Sequence, residues 1–130
     1  MVLYGDSYLD IALAPVLEAF NRSGMPALMT VFKNEGRWDA SNVVFDGSRV
    51  VCHDKRTRTP NMHYIDYGLG VLKSETLVDR ACDETFDLSA IYSQLATAGK
   101  LAGYEVTQRF YEIGTAAGLA ETDAFLRQRR

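Results

Sequence analysis

The chain is poor in the residues that staple or break small folds, with two cysteines, three prolines and one tryptophan in 130 positions. Cys52 and Cys82 form no CxxC pattern and cluster with no histidine, so neither a zinc site nor a disulfide framework is expected, and both read as small buried hydrophobes. No apolar run approaches bilayer length and no cationic stretch opens the chain, which makes the cytosol the expected compartment and a membrane partner unexpected. Basic residues are also in deficit. Fourteen Lys and Arg against seventeen Asp and Glu leave a formal charge of −3. With a pI near 5.3, the electrostatic footprint of a nucleic-acid-binding protein is missing. Repeats, low-complexity tracts and Pro/Gly linkers are lacking too, so residues 1–130 read as one domain.

What is present is an alternation of strand and helix signals. Val2, Leu3 and Tyr4 before Gly5 and Asp6 have the pattern of a buried parallel strand with a carboxylate at its C-terminal end. Pro15 fits only the first turn of a helix, which carries Leu13, Val16, Leu17 and Phe20 and ends near Gly24. Residues 27–32 form a second apolar strand. Asn42–Phe45 and Arg49–Cys52 flank Asp46-Gly47 as a hairpin, and Tyr64–Leu72 is a long strand with Gly68 and Gly70 inside it. Asp87 caps a helix marked by Leu88, Ile91, Tyr92 and Leu95 and closed by Gly99. Tyr104–Tyr111 reads as one strand, and Thr115 caps a last helix with Leu119, Thr122 and Leu126 on one face. About six strands and three or four helices predict an α/β domain with a mixed sheet. Arg127, Arg129 and Arg130 read as a frayed end.

In open α/β sheets, ligands bind beyond the C-terminal strand ends. Asp6 and Glu112 occupy such places, and two carboxylates from separate strand ends suit magnesium, which takes a few oxygen ligands plus substrate phosphates. Turn capping is the alternative for Asp6, and for Asp66 it is a buried carboxylate bonded to backbone amides. Lys55 lies in the polar run Asp54-Lys55-Arg56, where a solvated hairpin end is the plain alternative. His53 and His63 have no triad or metal spacing and read as solvated or structural. Trp38 and Tyr64 either stack on a sugar or cover a core.

Four segments carry a family resemblance. VLYGDSYLD resembles the Gly-Asp strand end of sugar-1-phosphate nucleotidyltransferases, and SNVVFDGSRVVCHDKR resembles their lysine-ended hairpin. TPNMHYIDYGLGVL is similar to the sugar-binding strand of the subgroup acting on heptose or mannose 1-phosphate, including guanylyltransferases, and FYEIGTAAGLAETDAFL to the late metal-binding strand and its helix. The order is the family's order, over nearly the whole chain. The resemblance implies a partial Rossmann-like nucleotidyltransferase fold, in which Asp6 and Glu112 hold magnesium, Lys55 contacts the sugar phosphate, and Asp66 and Gly68 line the sugar pocket. Glu112 stands where the family usually has aspartate, one methylene shorter.

Nothing like the family's Gly-rich GxGTR loop for the triphosphate and base occurs in this sequence. The chain thus resembles the C-terminal half alone. The expectation is a sugar-phosphate and metal half, inactive by itself, whose partners are a sugar 1-phosphate, a separate nucleotide-binding half and a second copy in a homo-oligomer. The alternative is a non-catalytic binding or interaction module derived from that fold.

Overall fold

The computed structural model describes residues 1–78 and 85–129. Cys82 and Arg130 lie outside them. The main sheet runs in the order β5-β4-β6-β3-β7, from β3 (Ala27–Lys33), β4 (Val43–Phe45), β5 (Val50–His53), β6 (Tyr64–Leu72) and β7 (Leu101–Val106), with the two-residue β1 (Val2–Leu3) also paired to β6. The pairing of β3 with β7 is parallel and the others are antiparallel. A separate ribbon joins β2 (Ser7–Tyr8) to β8 (Tyr111–Glu112). The helices are α1 (Ala14–Ser23), α2 (Leu88–Thr97) and α3 (Ala116–Arg127), with one 3₁₀ turn at Ser74–Thr76. The expected mixed α/β fold is therefore present.

Strand β3 explains its own composition. Ala27, Met29 and Val31 pack with Tyr92, Ala96 and Leu101 on one side, while Leu28 packs with Val16, Leu69 and Ala102 on the other. Both faces are covered, so the strand is apolar without alternation. The hairpin β4–β5 curls back over the sheet: Gly103 N donates to Ser48 O at 2.9 Å, and a Cβ at Gly103 would lie 2.3 Å from the Phe45 ring.

Strand β6 is not straight. Met29 pairs with Gly70 and Val31 with Asp66, so residues 67–69 of β6 bulge opposite Thr30, whose hydroxyl donates to Leu69 O at 2.6 Å. Gly68, at φ +96°, supplies the left-handed residue that this bulge requires. On the other edge of β6, β4 pairs at Tyr64 and β1 at Leu69 and Gly70, so residues 65–68 lie between the two pairings.

Five sequence expectations are corrected here. Strand β1 is antiparallel, two residues long, with Leu3 55% exposed, because its partner is the far end of β6 and no other described strand pairs with it. The expected Tyr104–Tyr111 strand is two strands, since β7 starts at Leu101 to match Ala27 and stops at Val106. Cys52 is only half-buried, because it lies on the outer hairpin strand β5. In α3 the inward positions are Thr122 and half-buried Phe125, which packs on Tyr8 and Tyr111, while Leu119 and Leu126 point outward. Arg127 pairs with Asp123 and Arg129 with Asp10 at 2.5 Å, which ties the chain end to the loop after β2.

Candidate functional site

The expected site residues fall into two groups on either side of the turn at residues 4–7. Asp6 lies in that turn, and the β2–β8 ribbon brings Glu112 beside it: Ser7 is the register partner of Glu112, and Ile113 N donates to the Asp6 carbonyl at 2.8 Å. The Asp6 carboxylate leans toward Gly114, where an added Cβ would stand 3.3 Å from Oδ2. Glu112 is exposed and borders a pocket of about 460 Å³ with Trp38, Arg109, Thr115, Gly118 and Glu121. Thr115 caps α3 by accepting from Gly118 N at 3.0 Å, and its hydroxyl donates to Glu112 Oε1 at 3.4 Å. Both carboxylates are exposed, on neighbouring backbones, and are oxygen donors of the kind a hydrated divalent cation takes. Among the described residues no group of three His, Cys, Asp or Glu is arranged to hold a metal without such help.

The second group meets at Tyr4. Its hydroxyl donates to Asp66 Oδ2 at 2.5 Å, its amide donates to Gly68 O at 2.9 Å, and Lys55 Nζ stands 5.6 Å from the centre of its ring. Asp66 Oδ1 accepts from Gly68 N at 3.0 Å, and Asn42 Oδ1 accepts from Asp66 N at 3.1 Å. An added Cβ at Gly68 would come within 2.9 Å of Ser7 Oγ, so glycine is needed here for space as well as for conformation. Burial first, then the Asp66 charge, push the Tyr4 hydroxyl well above the ordinary phenol value, which keeps it a donor.

Of the two readings open for His53, solvated or structural, the structure shows a buried side chain. Its ring is fully buried, with Nε2 3.9 Å from Asp66 Oδ2 and without a hydrogen-bond partner among the described residues, while Ser93 Oγ lies 3.4 Å from Nδ1 and donates to the His53 carbonyl at 2.5 Å. Burial lowers the imidazole below its usual value, and the Asp66 charge opposes that only in part. Trp38 is also now placed: it is half-exposed, with the Arg109 guanidinium 3.7 Å from its ring centre. Tyr64 packs on Phe45 in the core.

No protein-family model matches the chain, and no curated protein matches it. Solved structures do. A Bacillus anthracis protein described as a glucose-1-phosphate thymidylyltransferase, solved with sucrose, superposes with a TM-score of 0.78 at 15% identity over 96% of this chain. The inositol-1-phosphate CTP transferase of T. maritima gives 0.68 at 21% identity over 94%. The chain has a nucleotidyltransferase fold. It spans about half the length of these structures, 53% of the first and 51% of the second. No described helix is long and apolar enough to cross a membrane.

Proposed function

We propose that this nucleotidyltransferase-fold chain is the sugar-phosphate and metal-binding half of a cytoplasmic enzyme that forms a nucleotide-sugar from a nucleoside triphosphate and a sugar 1-phosphate. The observation that carries the reading is the convergence of five separated residues on one turn, with Asp6 and Glu112 on one side and Lys55, Asp66 and Gly68 on the other. The strand YIDYG, which resembles the sugar-binding strand of heptose- and mannose-1-phosphate guanylyltransferases, makes mannose or heptose 1-phosphate the first substrate.

In the reaction, an oxygen of the sugar phosphate attacks the α-phosphorus of the triphosphate, the bond to the β-phosphate oxygen breaks, and pyrophosphate leaves. Such transfer needs positioning and charge neutralisation more than covalent help. Asp6 and Glu112 would hold a magnesium ion, which when bound would supply charge to neutralise the reacting phosphates. Lys55 binds the sugar phosphate and keeps its oxygen in line. The bulged backbone at Asp66 and Gly68 lines the sugar. Turnover is not expected of this chain alone, because its sequence carries no GxGTR-type loop to cradle the triphosphate.

Calorimetry with mannose 1-phosphate and heptose 1-phosphate tests binding, and pyrophosphate release with each triphosphate tests turnover. Binding that is lost in Lys55→Ala, without turnover, is expected. Absent binding, or equal binding by both proteins, overturns the sugar-phosphate role, and robust turnover by the pure chain overturns the half-enzyme. The same fold also admits a second reading, a non-catalytic sugar-phosphate or protein-interaction module derived from it. Supplying a separate nucleotide-binding half restores turnover under the first reading and not under the second.

A further inference from the structure

We propose that the Asp66 side chain is a positioning group: it acts through the Tyr4 hydroxyl, which fixes the Tyr4 ring beside Lys55 and anchors the turn that carries Asp6. The Lys55 half of this rests on the sugar-phosphate role proposed above, while the contact itself does not.

Three observations lead here. First, the Asp66 carboxylate is only 4% exposed and both oxygens are engaged, Oδ2 by Tyr4 and Oδ1 by the Gly68 amide. His53 Nε2 closes the remaining side at 3.9 Å. A sugar hydroxyl would have to displace one of these buried partners, and exchanging a charge-assisted bond for a new one brings little gain. Second, β1 has only two ladder residues, Val2 and Leu3, so its hold on β6 is short. The Tyr4 amide extends it by one bond to Gly68 O, and the Tyr4 carbonyl accepts from Ser7 N at 3.2 Å to close the turn around Asp6. The bond to Asp66 is the side-chain lock on that residue. Third, the Tyr4 ring is the surface beside which the Lys55 ammonium stands, an arrangement that draws the cation toward the ring face. One carboxylate thus governs a cation on one hairpin and a carboxylate-bearing turn on another segment.

Tyr4→Phe removes only the hydroxyl and keeps the ring, and Asp66→Asn keeps shape while removing charge. Proton NMR of the Lys55 ε-methylene reads the ring-current shift from Tyr4, and hydrogen exchange of the Tyr4 amide reads the anchor; neither needs a ligand. Each variant is expected to reduce the Lys55 shift and to speed Tyr4 exchange at least tenfold, with Tyr67 exchange unchanged. In calorimetry with mannose 1-phosphate, each is expected to weaken binding about tenfold, and the double variant no further than either single one, because both changes break one link. Effects that multiply in the double variant would show that Asp66 meets the substrate on its own. Should Asp66→Asn not fold, Tyr4→Phe carries the test by itself. An unchanged Lys55 shift and unchanged Tyr4 exchange in the folded variants overturn the proposal, whatever the calorimetry. A wild type that binds no mannose 1-phosphate yet shows both NMR effects defeats the sugar-phosphate role and leaves the positioning contact standing.

Discussion

Ser7 and Glu112 stand opposite each other in the β2–β8 ribbon, and that register sets the Asp6 turn beside the strand that bears Glu112. With only two residues on each side, the ribbon depends on the Phe125 and Tyr111 rings that stack over it with centroids 4.3 Å apart.

The first prediction concerns this pair of carboxylates. Manganese should bind weakly, because two protein oxygens leave most of its shell to water, and Asp6→Asn or Glu112→Gln should each lower the affinity about tenfold by removing one of two charges. Water-proton relaxation with manganese is the measurement. Wild-type affinity in Asp6→Asn would take Asp6 out of the metal site.

Gly70 offers a stability test. A Cβ there would sit 2.0 Å from the Tyr92 hydroxyl oxygen, and Tyr92 is buried in the core between α2 and the sheet. Gly70→Ala should therefore cost about 1–3 kcal/mol in urea unfolding through overpacking. Adding Tyr92→Phe removes the clashing oxygen and should recover most of the loss. A double variant no more stable than Gly70→Ala would mean that the strain lies in the backbone instead.

Acid should weaken the fold through His53. Its folded value is lowered by burial beneath the ordinary 6.5, so the unfolded chain takes up the proton first as pH falls. The stability contributed by neutral His53 is complete above about pH 6.5 and is lost as pH drops through the window below it, at up to about 1.4 kcal/mol per pH unit. Asp46, Asp54 and Asp87 act lower: backbone amides of their own turns and cap hold each below the ordinary 3.8, so their contribution is lost as pH falls beneath that value. Thermal melts from pH 7.5 to 5 should show a declining midpoint in wild type and a flatter profile in His53→Gln. Parallel profiles would assign the acid sensitivity to other groups.

Association is the fourth prediction. Met1, Leu3 and Leu13 are about half-exposed and border one apolar groove of about 440 Å³ beside the open side of β1. An unpaired strand edge with such neighbours favours pairing with a second copy through a symmetric contact. Light scattering coupled to size exclusion should give a dimer or larger closed assembly, and Leu3→Lys with Leu13→Lys should shift it toward 14.5 kDa. A wild-type monomer at micromolar concentration would refute it.

The parts of the fold most legible in the sequence are those fixed by local chemistry. Pro15, Asp87 and Thr115 mark helix starts because caps and ring geometry act within one turn, and Asp46-Gly47 marks its hairpin for the same reason. Gly68 and Gly70 signalled close approach, and each meets a neighbouring side chain. Strand direction was not legible: Val2-Leu3-Tyr4 carries the same apolar pattern whichever way its partner runs. Leu101-Ala102-Gly103 joins β7 because it lies beside Ala27-Leu28-Met29, a pairing across more than seventy positions that no local pattern records. The resemblance marked Asp66, yet its partners Tyr4 and His53 went unseen. A tyrosine in an apolar run reads as core, and a histidine without motif spacing reads as solvated or structural, with no partner to name. The inward face of α3 was misjudged because small Gly118 and Thr122 let the helix approach Glu112, leaving the leucines outside.

The contact between Trp38 and Arg109 gives the molecule an internal optical reporter. Trp38 is the single tryptophan, it is half-exposed, and it borders the same pocket as Glu112. Excitation at its absorption edge therefore samples one place in the chain, and any ion or phosphate that reorganises Arg109 or its partner Glu121 alters the emission without a label.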